Sequence, residues 1–461
     1  MTIESTEATI VAPARRLRGE LILPGDKSIS HRALMLAALA PGRSSITGAG
    51  DGADIRSSAA VCRALGVLVE RAPRAGSDDG APAAPTVDYV VDSPGVDGLH
   101  APEADLNCGN SGTSLRLFAG ILAGQPFRSV LDGDDSLRRR PVARIIEPLR
   151  AMGATLQASS DDALPPLTVR GRHPLVAVDR WTPVPSAQVK SAILLAGLRA
   201  DGRTTVRERV ATRDHTERML RARGVEVLTE SLEATEPGVP GPVAVSLEGG
   251  RTVTAIDEHV PGDVSAAAFW LVAAAIHPDA DLTIRGVGVN PTRRAVIDLL
   301  RAMGADIEES SVGRSESDRG EPIADLRVRS SHLRGIDLEP SDVAMAIDEI
   351  PVLCLAAAMA DGTTRIRGAG ELRHKESDRI AGTAAGLGAL GSDVAVDGDD
   401  LSIRGGRRLT GAVVDSLDDH RLAMTFAIAG LVASGRTTVL RPASASISYP
   451  GFFDDLGRVA S

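Results

Sequence analysis

Cysteine is scarce in this chain, with three residues in 461, at Cys62, Cys108 and Cys354. They are odd in number and widely spaced, so they offer no metal-ligand pairing and suit a reducing cytoplasm. Positive charge is also in short supply: 51 Lys and Arg stand against 61 Asp and Glu, a formal net charge of −10. That balance argues against general nucleic-acid binding, and no arginine-rich tract contradicts it. Any anion site must therefore be a local concentration of positive charge inside an acidic protein. Long apolar runs are missing too. The longest span about one core helix and are too short to cross a bilayer. The first residues, MTIESTEATIVAPARR, are acidic before they are basic. They lack a secretory apolar region and the Arg/Ser-rich look of a transit peptide, so a cytoplasmic location is expected.

What the chain does have is repetition. The same phrase occurs six times: a small or acidic cluster, an apolar stretch rich in Ala and Leu, a Gly, then a short β-branched run. The copies open at Pro24-Gly25-Asp26-Lys27-Ser28, Cys108-Gly109-Asn110-Ser111-Gly112-Thr113, Pro185-Ser186-Ala187-Gln188, Pro261-Gly262-Asp263-Val264-Ser265, Asp348-Glu349-Ile350-Pro351 and Asp418-Asp419-His420-Arg421. Their spacing, roughly 70–85 residues, exceeds solenoid periods and matches a small α/β unit per repeat. The length suggests more than one domain, and two domains of three repeats is the natural division.

A second phrase recurs: an amphipathic helix, then a Gly, then a strand start. It is seen in ARIIEPLRAMGATL (Ala143 to Leu156), RAVIDLLRAMGADI (Arg294 to Ile307), RALGVLV (Arg63 to Val69) and RARGVEVL (Arg221 to Leu228). Each unit thus holds one helix that is apolar all round, which must be buried, and one that can cover a sheet face. Three stretches, Pro73 to Thr86, Glu230 to Gly241 and Glu308 to Glu321, are rich in Gly, Pro, Ser or acids and read as surface loops or disorder. Buried helices running parallel would place their N-termini on one face, each worth about 0.3–1 kcal/mol to a nearby anion. Two halves facing one another would gather all six helix starts around one cleft.

The residues at those starts suit this purpose. Lys27-Ser28 opens the first apolar helix, with Arg32 about one turn on and on the same side. Lys, hydroxyl, backbone N–H and Arg at one helix start make an anion cradle, although a plain capped helix is the alternative. A P-loop is not supported, because the G-x-x-x-x-G-K spacing is absent. Asn110-Ser111-Gly112-Thr113 with Arg116 repeats the theme, and Gly112 permits close backbone approach. Arg140 stands out from the run Arg138-Arg139-Arg140 because Pro141 follows it at a position suited to a helix start. Ser186 and Gln188 can cap the third apolar helix or touch a ligand, and Arg213-Asp214-His215 opens a further helix. Asp348-Glu349 has no counter-charge beside it in the sequence. In a cleft full of cations and phosphates Asp348 becomes a candidate general base. Lys375-Glu376-Ser377-Asp378-Arg379 is dense in alternating charge, which also fits a solvated helix start. Arg421, in front of LAMTFAIAGL, needs a partner anion. Of the six starts, only that at Asp263 brings neither a cation nor a candidate acid–base group.

Several blocks, in order, carry a family resemblance: LPGDKSISHRALMLAAL, GNSGTSLRL, RRRPVARI, SAQVKSAILLAGL, TRDHTERM, DEIPVL, LRHKESDRI and DDHRLAMTFAIAGL. From about Leu17 to Leu456 the chain resembles the 5-enolpyruvylshikimate-3-phosphate synthase family of enolpyruvyl transferases. The resemblance implies an α/β, two-domain enolpyruvyl-transferase fold. Each domain would hold three βαβαββ repeats with buried parallel helices, an inside-out α/β barrel. Residues 1–22 plus 261–461 would form one domain and 23–260 the other, with the site in the cleft between them. The implied reaction moves the enolpyruvyl group of phosphoenolpyruvate to the 5-hydroxyl of 3-phosphoshikimate and releases phosphate. By motif position, Lys27, Ser28, Arg32, Ser186, Ala187, Gln188, Arg213, Asp348 and Lys375 match contacts to 3-phosphoshikimate. Lys27, Gly112, Arg140, Gln188, Arg379 and Arg421 match contacts to phosphoenolpyruvate. Asp348, Glu376 and Lys27 match the catalytic set, Asp348 as base for the hydroxyl and Glu376 as acid/base at the methylene. No metal and no cofactor is expected, and the chain is expected to act as a monomer on small molecules, without nucleic-acid or membrane partners. Two details depart from the common pattern. Ile447 occupies the place where the family often carries a Lys. Ala187 and Leu117 resemble a branch with altered glyphosate response, although Gly112 is retained. The sister enzyme acting on a UDP-aminosugar is the nearest rival; it usually has Lys-Asn where this chain has Lys27-Ser28, and uses a loop Cys as acid. A non-catalytic anion-binding scaffold is the rival of a different class.

Overall fold

A computed structural model of the chain describes residues 7–73, 86–233, 241–314 and 320–461, side chains at 312–314 excepted. The six apolar stretches form six core helices: Lys27–Leu39, Gly112–Ala123, Ala187–Gly197, Val264–Ile276, Ile350–Met359 and His420–Val432. Their sequences leave no polar face, so they bury all round. In the fourth, every residue from Val264 to Ile276 is buried. The amphipathic stretches form the second helix of each unit, among them Ala143–Ala151, His215–Ala222 and Ala295–Ala302.

The second repeat shows the unit plainly. Strand Leu106–Asn107 leads into the core helix Gly112–Ala123 and then strand Arg128–Asp132, which lies parallel to the first. Helix Ala143–Ala151 and strands Thr155–Ala158 and Leu164–Arg170 follow, the last antiparallel to both Arg128–Asp132 and Thr155–Ala158. This is βαβαββ, and the parallel pair needs a helical crossover. The same order of one parallel and two antiparallel pairings recurs in five four-stranded sheets. A three-stranded sheet of Ala8–Val11, Thr437–Leu440 and Val413–Asp415 closes the sixth unit.

Two strands are exchanged between the halves. Leu17–Ile22 precedes the first core helix but pairs with Ala280–Gly288, while Glu258–His259 precedes the fourth but pairs with Gly42–Gly50. The chain therefore crosses between lobes twice, and the crossings touch: Gly25 bridges Gly262, Asp26 N–H donates to the Pro261 carbonyl at 2.7 Å and Asp263 N–H to the Pro24 carbonyl at 2.9 Å. A Cβ at Gly25 would collide with the Gly48 carbonyl oxygen, so the crossing needs glycine there. Two separate hydrophobic clusters result, one within 29–260 and one drawn from 11–23 and 264–459.

Helix direction, which the sequence left open, follows from contacts. Thr113 of the second core helix meets Gln188 of the third, and further along Gly120 packs against the Ala192 backbone. The contacts advance together, so these helices run parallel.

The loop readings need correcting at their edges, where all three stretches run into strands. Glu308 to Arg314 lies in strand Asp306–Arg314, paired with Pro322–Arg329, because Ile307 continues an extended run that the acidic composition disguises. Glu230 and Ser231 likewise end strand Val227–Ser231. Within those stretches, residues 74–85, 234–240 and 315–319 lie outside the described residues. Among the described residues no helix is long and apolar enough to cross a membrane, and no group of three or more His, Cys, Asp or Glu could hold a metal ion.

Candidate active site

The first core helix begins at Lys27 because Asp26 caps it, accepting from Ile29 N–H at 2.9 Å. Lys27 Nζ sits 3.3 Å from Asp54, and its backbone N–H is 3.4 Å from Asp263 of the other lobe. Arg32, one turn on, is buried, and among the described residues it has no ion pair. It donates to the hydroxyls of Thr216 at 2.8 Å and Ser191 at 2.9 Å and to the Ser28 carbonyl at 3.0 Å. Burial pushes its guanidinium down to about 10.

The second and third core helices add a similar group. Ser111 caps the second helix and Ser186 the third. Arg116 is buried, donates to Gln188 Oε1 at 2.8 Å and to the Pro141 carbonyl at 2.9 Å, and is likewise without an ion pair among the described residues. Burial pulls it down to about 9. Gln188 in turn donates to Thr113 at 3.0 Å, and Ala187 is half-buried beside it. A Cβ at Gly112 would lie 2.6 Å from Arg116 Nη1 and 3.8 Å from Arg140 Nη1, which places both arginines around that glycine. Arg140 is held by Asn110 Oδ1 at 2.5 Å. Arg32 and Arg116 are buried cations hydrogen-bonded only to neutral groups. Burying an uncompensated charge is costly, and a bound anion would relieve it.

The second lobe brings carboxylates to meet these cations. Asp348, whose sequence neighbours offered no counter-charge, lies 2.7 Å from Arg213 of the other lobe, 3.3 Å from Lys375 and 3.5 Å from Arg379. Burial raises its carboxyl, but Lys375, Arg213, Arg421 and Arg379 outweigh burial and hold it well below the usual range. Glu376 lies 2.5 Å from Arg379 and 3.6 Å from Arg140 across the cleft. Burial opposes its ionisation too, and Arg379, His420, Arg140 and Lys27 overcome that. Arg379, at the start of helix Arg379–Ala389, also holds Asp419 at 2.8 Å. Arg421 finds its anion in Glu349 at 3.7 Å and lies over the Phe269 ring at 6.0 Å.

Between the lobes the structure joins Arg213 to Asp348 and Arg140 to Glu376. Gly112 and Gln188 gather with Arg116 and Arg140 on one side, and Lys375, Arg379 and Arg421 lie around Asp348 and Glu376 on the other. Lys27, Ser28, Arg32, Ser186 and Ala187 stand in the opening turns of their core helices. Sequence reasoning missed Asp54 and Arg293, named Glu349 only as the neighbour of Asp348, and named Arg116 at the second helix start without carrying it into the site. The cationless fourth helix start is served by Arg293, which donates to Ser265 at 2.5 Å and lies 3.9 Å from Asp263 and 3.5 Å from Glu349. The motif VNPTRR could have flagged it, but nothing local shows that it points at a helix 28 residues earlier. Ile447, in place of the family Lys, is half-buried, and its carbonyl lies beside Gly52 at the start of helix Ala53–Ala64. Cys108 is buried, and burial raises its thiol, which keeps it protonated and remote from acid–base work.

The paired lobes, exchanged strands and cleft of helix starts define a two-domain enolpyruvyl-transferase fold. The enolpyruvyl transferase NikO from Streptomyces tendae shares it, with a TM-score of 0.75 at 20% identity over 98% of each chain. Within that class the match narrows to one family. The family model described as EPSP synthase (3-phosphoshikimate 1-carboxyvinyltransferase) matches residues 11–456, and the chain belongs to that family. A protein named 3-phosphoshikimate 1-carboxyvinyltransferase from Gloeobacter violaceus is 50% identical over 98% of this chain and 99% of its own. Another of that name, from Roseiflexus, is also 50% identical, over 98% of each. The solved EPSP synthase from Acinetobacter baumannii is similar at 40% identity and a TM-score of 0.83, covering 99% of this chain and 98% of that one.

Proposed function

We infer that this chain transfers the enolpyruvyl group of phosphoenolpyruvate to the 5-hydroxyl of 3-phosphoshikimate, as an enzyme of aromatic amino-acid and chorismate biosynthesis. The observation that carries this reading is the meeting, across one cleft, of Asp348 with Arg213 and of Glu376 with Arg140. Two carboxylates able to move protons stand among cations that suit phosphates and carboxylates.

Lys27, Ser28, Arg32, Ser186, Ala187, Gln188, Arg213 and Lys375 hold 3-phosphoshikimate, with Asp348 at its 5-hydroxyl. Lys27, Gly112, Arg140, Gln188, Arg379 and Arg421 hold phosphoenolpyruvate. Charge-assisted arginine pairs contribute about 1.5–3 kcal/mol each, more than the helix ends supply. In the addition step the 5-hydroxyl oxygen bonds to the central carbon of phosphoenolpyruvate, its proton passes to Asp348, and the methylene carbon takes a proton from Glu376. In elimination Glu376 recovers a proton from the new methyl group, the carbon–oxygen bond to phosphate breaks, and the phosphate leaves carrying the hydroxyl proton that Asp348 had taken, which restores both carboxyl groups. Glu376 must be protonated to begin. The incoming phosphate and carboxylate neutralise Arg140 and Arg379 and so move its carboxyl back up. Lys27 adds positive charge beside both guests.

Residues 1–22 with 261–461, and 23–260, act as domains that close on the substrates and expel water. The chain works as a monomer in the cytoplasm, and sedimentation at the mass of one 47.8 kDa chain tests the first point. The deciding experiment for the reaction is phosphate release from phosphoenolpyruvate with 3-phosphoshikimate present, absent, or replaced by a UDP-aminosugar. Release with 3-phosphoshikimate alone is expected. Release only with the UDP-aminosugar, or with neither, ends this reading.

A further inference from the structure

Lys190 is one of the chain's most deeply buried charges, and the reaction gives it no part. It lies on the third core helix, two residues after Gln188, with its side chain 2% exposed. Its ammonium is 2.8 Å from Glu208 and 2.8 Å from Glu217, both equally buried. Burial pulls its ammonium down, but the two glutamates outweigh burial and hold it above its ordinary value. Such a cluster is weak as a source of stability, since desolvation offsets the attraction. What it holds is therefore more telling than what it contributes.

It holds a turn. Strand Arg203–Glu208 ends at Glu208, helix His215–Ala222 begins at His215, and the link between them has no regular structure. Arg209, Val210 and Ala211 are exposed. The chain is caught again at Thr212. Its carbonyl accepts from Lys190 Nζ at 3.2 Å, its hydroxyl donates to Glu208 Oε1 at 2.5 Å and its N–H to Glu208 Oε2 at 3.3 Å. The next residue is Arg213, which spans the cleft to Asp348 at 2.7 Å. Beyond it Asp214 N–H donates to Thr292 of the other lobe at 3.2 Å. On its own lobe, then, the arginine at the acceptor site is fixed through Lys190 and Glu208.

We propose that Lys190 and Glu208 are positioning residues for Arg213, clamping Thr212 so that the guanidinium meets the acceptor substrate and Asp348. The clamp sets the affinity for 3-phosphoshikimate and leaves the phosphoenolpyruvate subsite alone. This rests on the reaction assigned above. Lys190 also neighbours the Arg32 network through Ser191, whose hydroxyl hydrogen-bonds Thr216 at 2.7 Å, so both ends of the acceptor site share one buried support.

Lys190→Met would leave two buried glutamates without a cation and can fail to fold, so Thr212→Val is the working variant. It removes one charge-assisted hydrogen bond and keeps the side-chain shape. Thr204→Val, on the strand that ends at Glu208 and at a buried hydroxyl without a partner among the described residues, is the control. In Thr212→Val the KM for 3-phosphoshikimate should rise about fivefold or more, the KM for phosphoenolpyruvate should stay within about twofold, and amide exchange across 209–214 should quicken. Thr204→Val should change none of these. An unchanged acceptor KM beside normal turnover, both KM values rising together, or unchanged exchange each overturns the clamp. Wild-type protein without turnover would sink the reaction assignment instead, and the exchange comparison would still decide the clamp on its own.

Discussion

Arg140 and Glu376 face each other across the cleft at 3.6 Å, one from each lobe. They lie 236 positions apart in the chain, and only the folded pair of lobes makes them neighbours. Arg140 also donates to Asn110, so its direction is set from its own side before any partner arrives. Glu376 is gripped by Arg379 from behind. A ligand anion entering here meets two guanidinium groups already aimed.

Arg140→Ala should therefore raise the KM for phosphoenolpyruvate by an amount equivalent to roughly 2 kcal/mol or more. The KM for 3-phosphoshikimate should move far less. Steady-state kinetics with each substrate varied in turn distinguishes the two, and equal rises would show that Arg140 serves the lobe contact rather than the ligand.

Asp348→Ala should cut kcat by about a hundredfold or more, the usual worth of a positioned acid or base. Binding of 3-phosphoshikimate, measured by calorimetry, should weaken much less, because Arg213, Lys375 and Arg379 lose a competitor for the ligand's charge. Unchanged turnover would remove Asp348 from the chemistry.

The pH dependence follows from the same cations. Asp348 and Glu376 titrate below their ordinary carboxylate values because lysine and arginine charges outweigh burial. A depressed folded value means that their stabilising share is complete above the unfolded value, about pH 4, and is lost as the pH falls through the lower folded one. In Lys375→Met the strongest cation at Asp348 is gone, so its carboxyl rises. The acid limb of kcat/KM should move to higher pH than in the wild type, the substrates' own ionisation being common to both. A limb that does not move would show that Asp348 does not set it.

Glyphosate should compete with phosphoenolpyruvate. Gly112 leaves open the space where a Cβ would stand 2.6 Å from Arg116 and 3.8 Å from Arg140. Gly112→Ala fills that space, so inhibition should weaken, with a rise in the KM for phosphoenolpyruvate as its cost. Wild-type activity untouched by millimolar glyphosate would contradict this.

The six core helices were legible because each is apolar on every side, and an all-apolar stretch of helical length between β-branched runs leaves few alternatives. The caps were legible for a similar local reason: Asp26, Ser111, Ser186 and Asp263 each accept a hydrogen bond from a backbone N–H in the first turn of the helix they open. Strand Asp306–Arg314 was misread as loop from Glu308 on because Glu308, Glu309 and the serines after them hide its alternation, and its partner Pro322–Arg329 comes only later in the chain. Arg293 was missed because its work is done on Ser265, Asp263 and Glu349, none of them within reach along the chain.

By itself the sequence determined the six core helices, the residues at their starts and the family they spell, since periodicity and capping are written within a few residues. The tertiary structure decided the rest. The exchange of Leu17–Ile22 and Glu258–His259 between lobes makes the chain cross twice at one place. That crossing turns two sets of helix starts toward each other, and only this meeting brings Arg213 to Asp348 and Arg140 to Glu376, while packing within the second lobe brings Glu349 to Arg421. Charges interact through space, not along the chain, so no local pattern could have paired them.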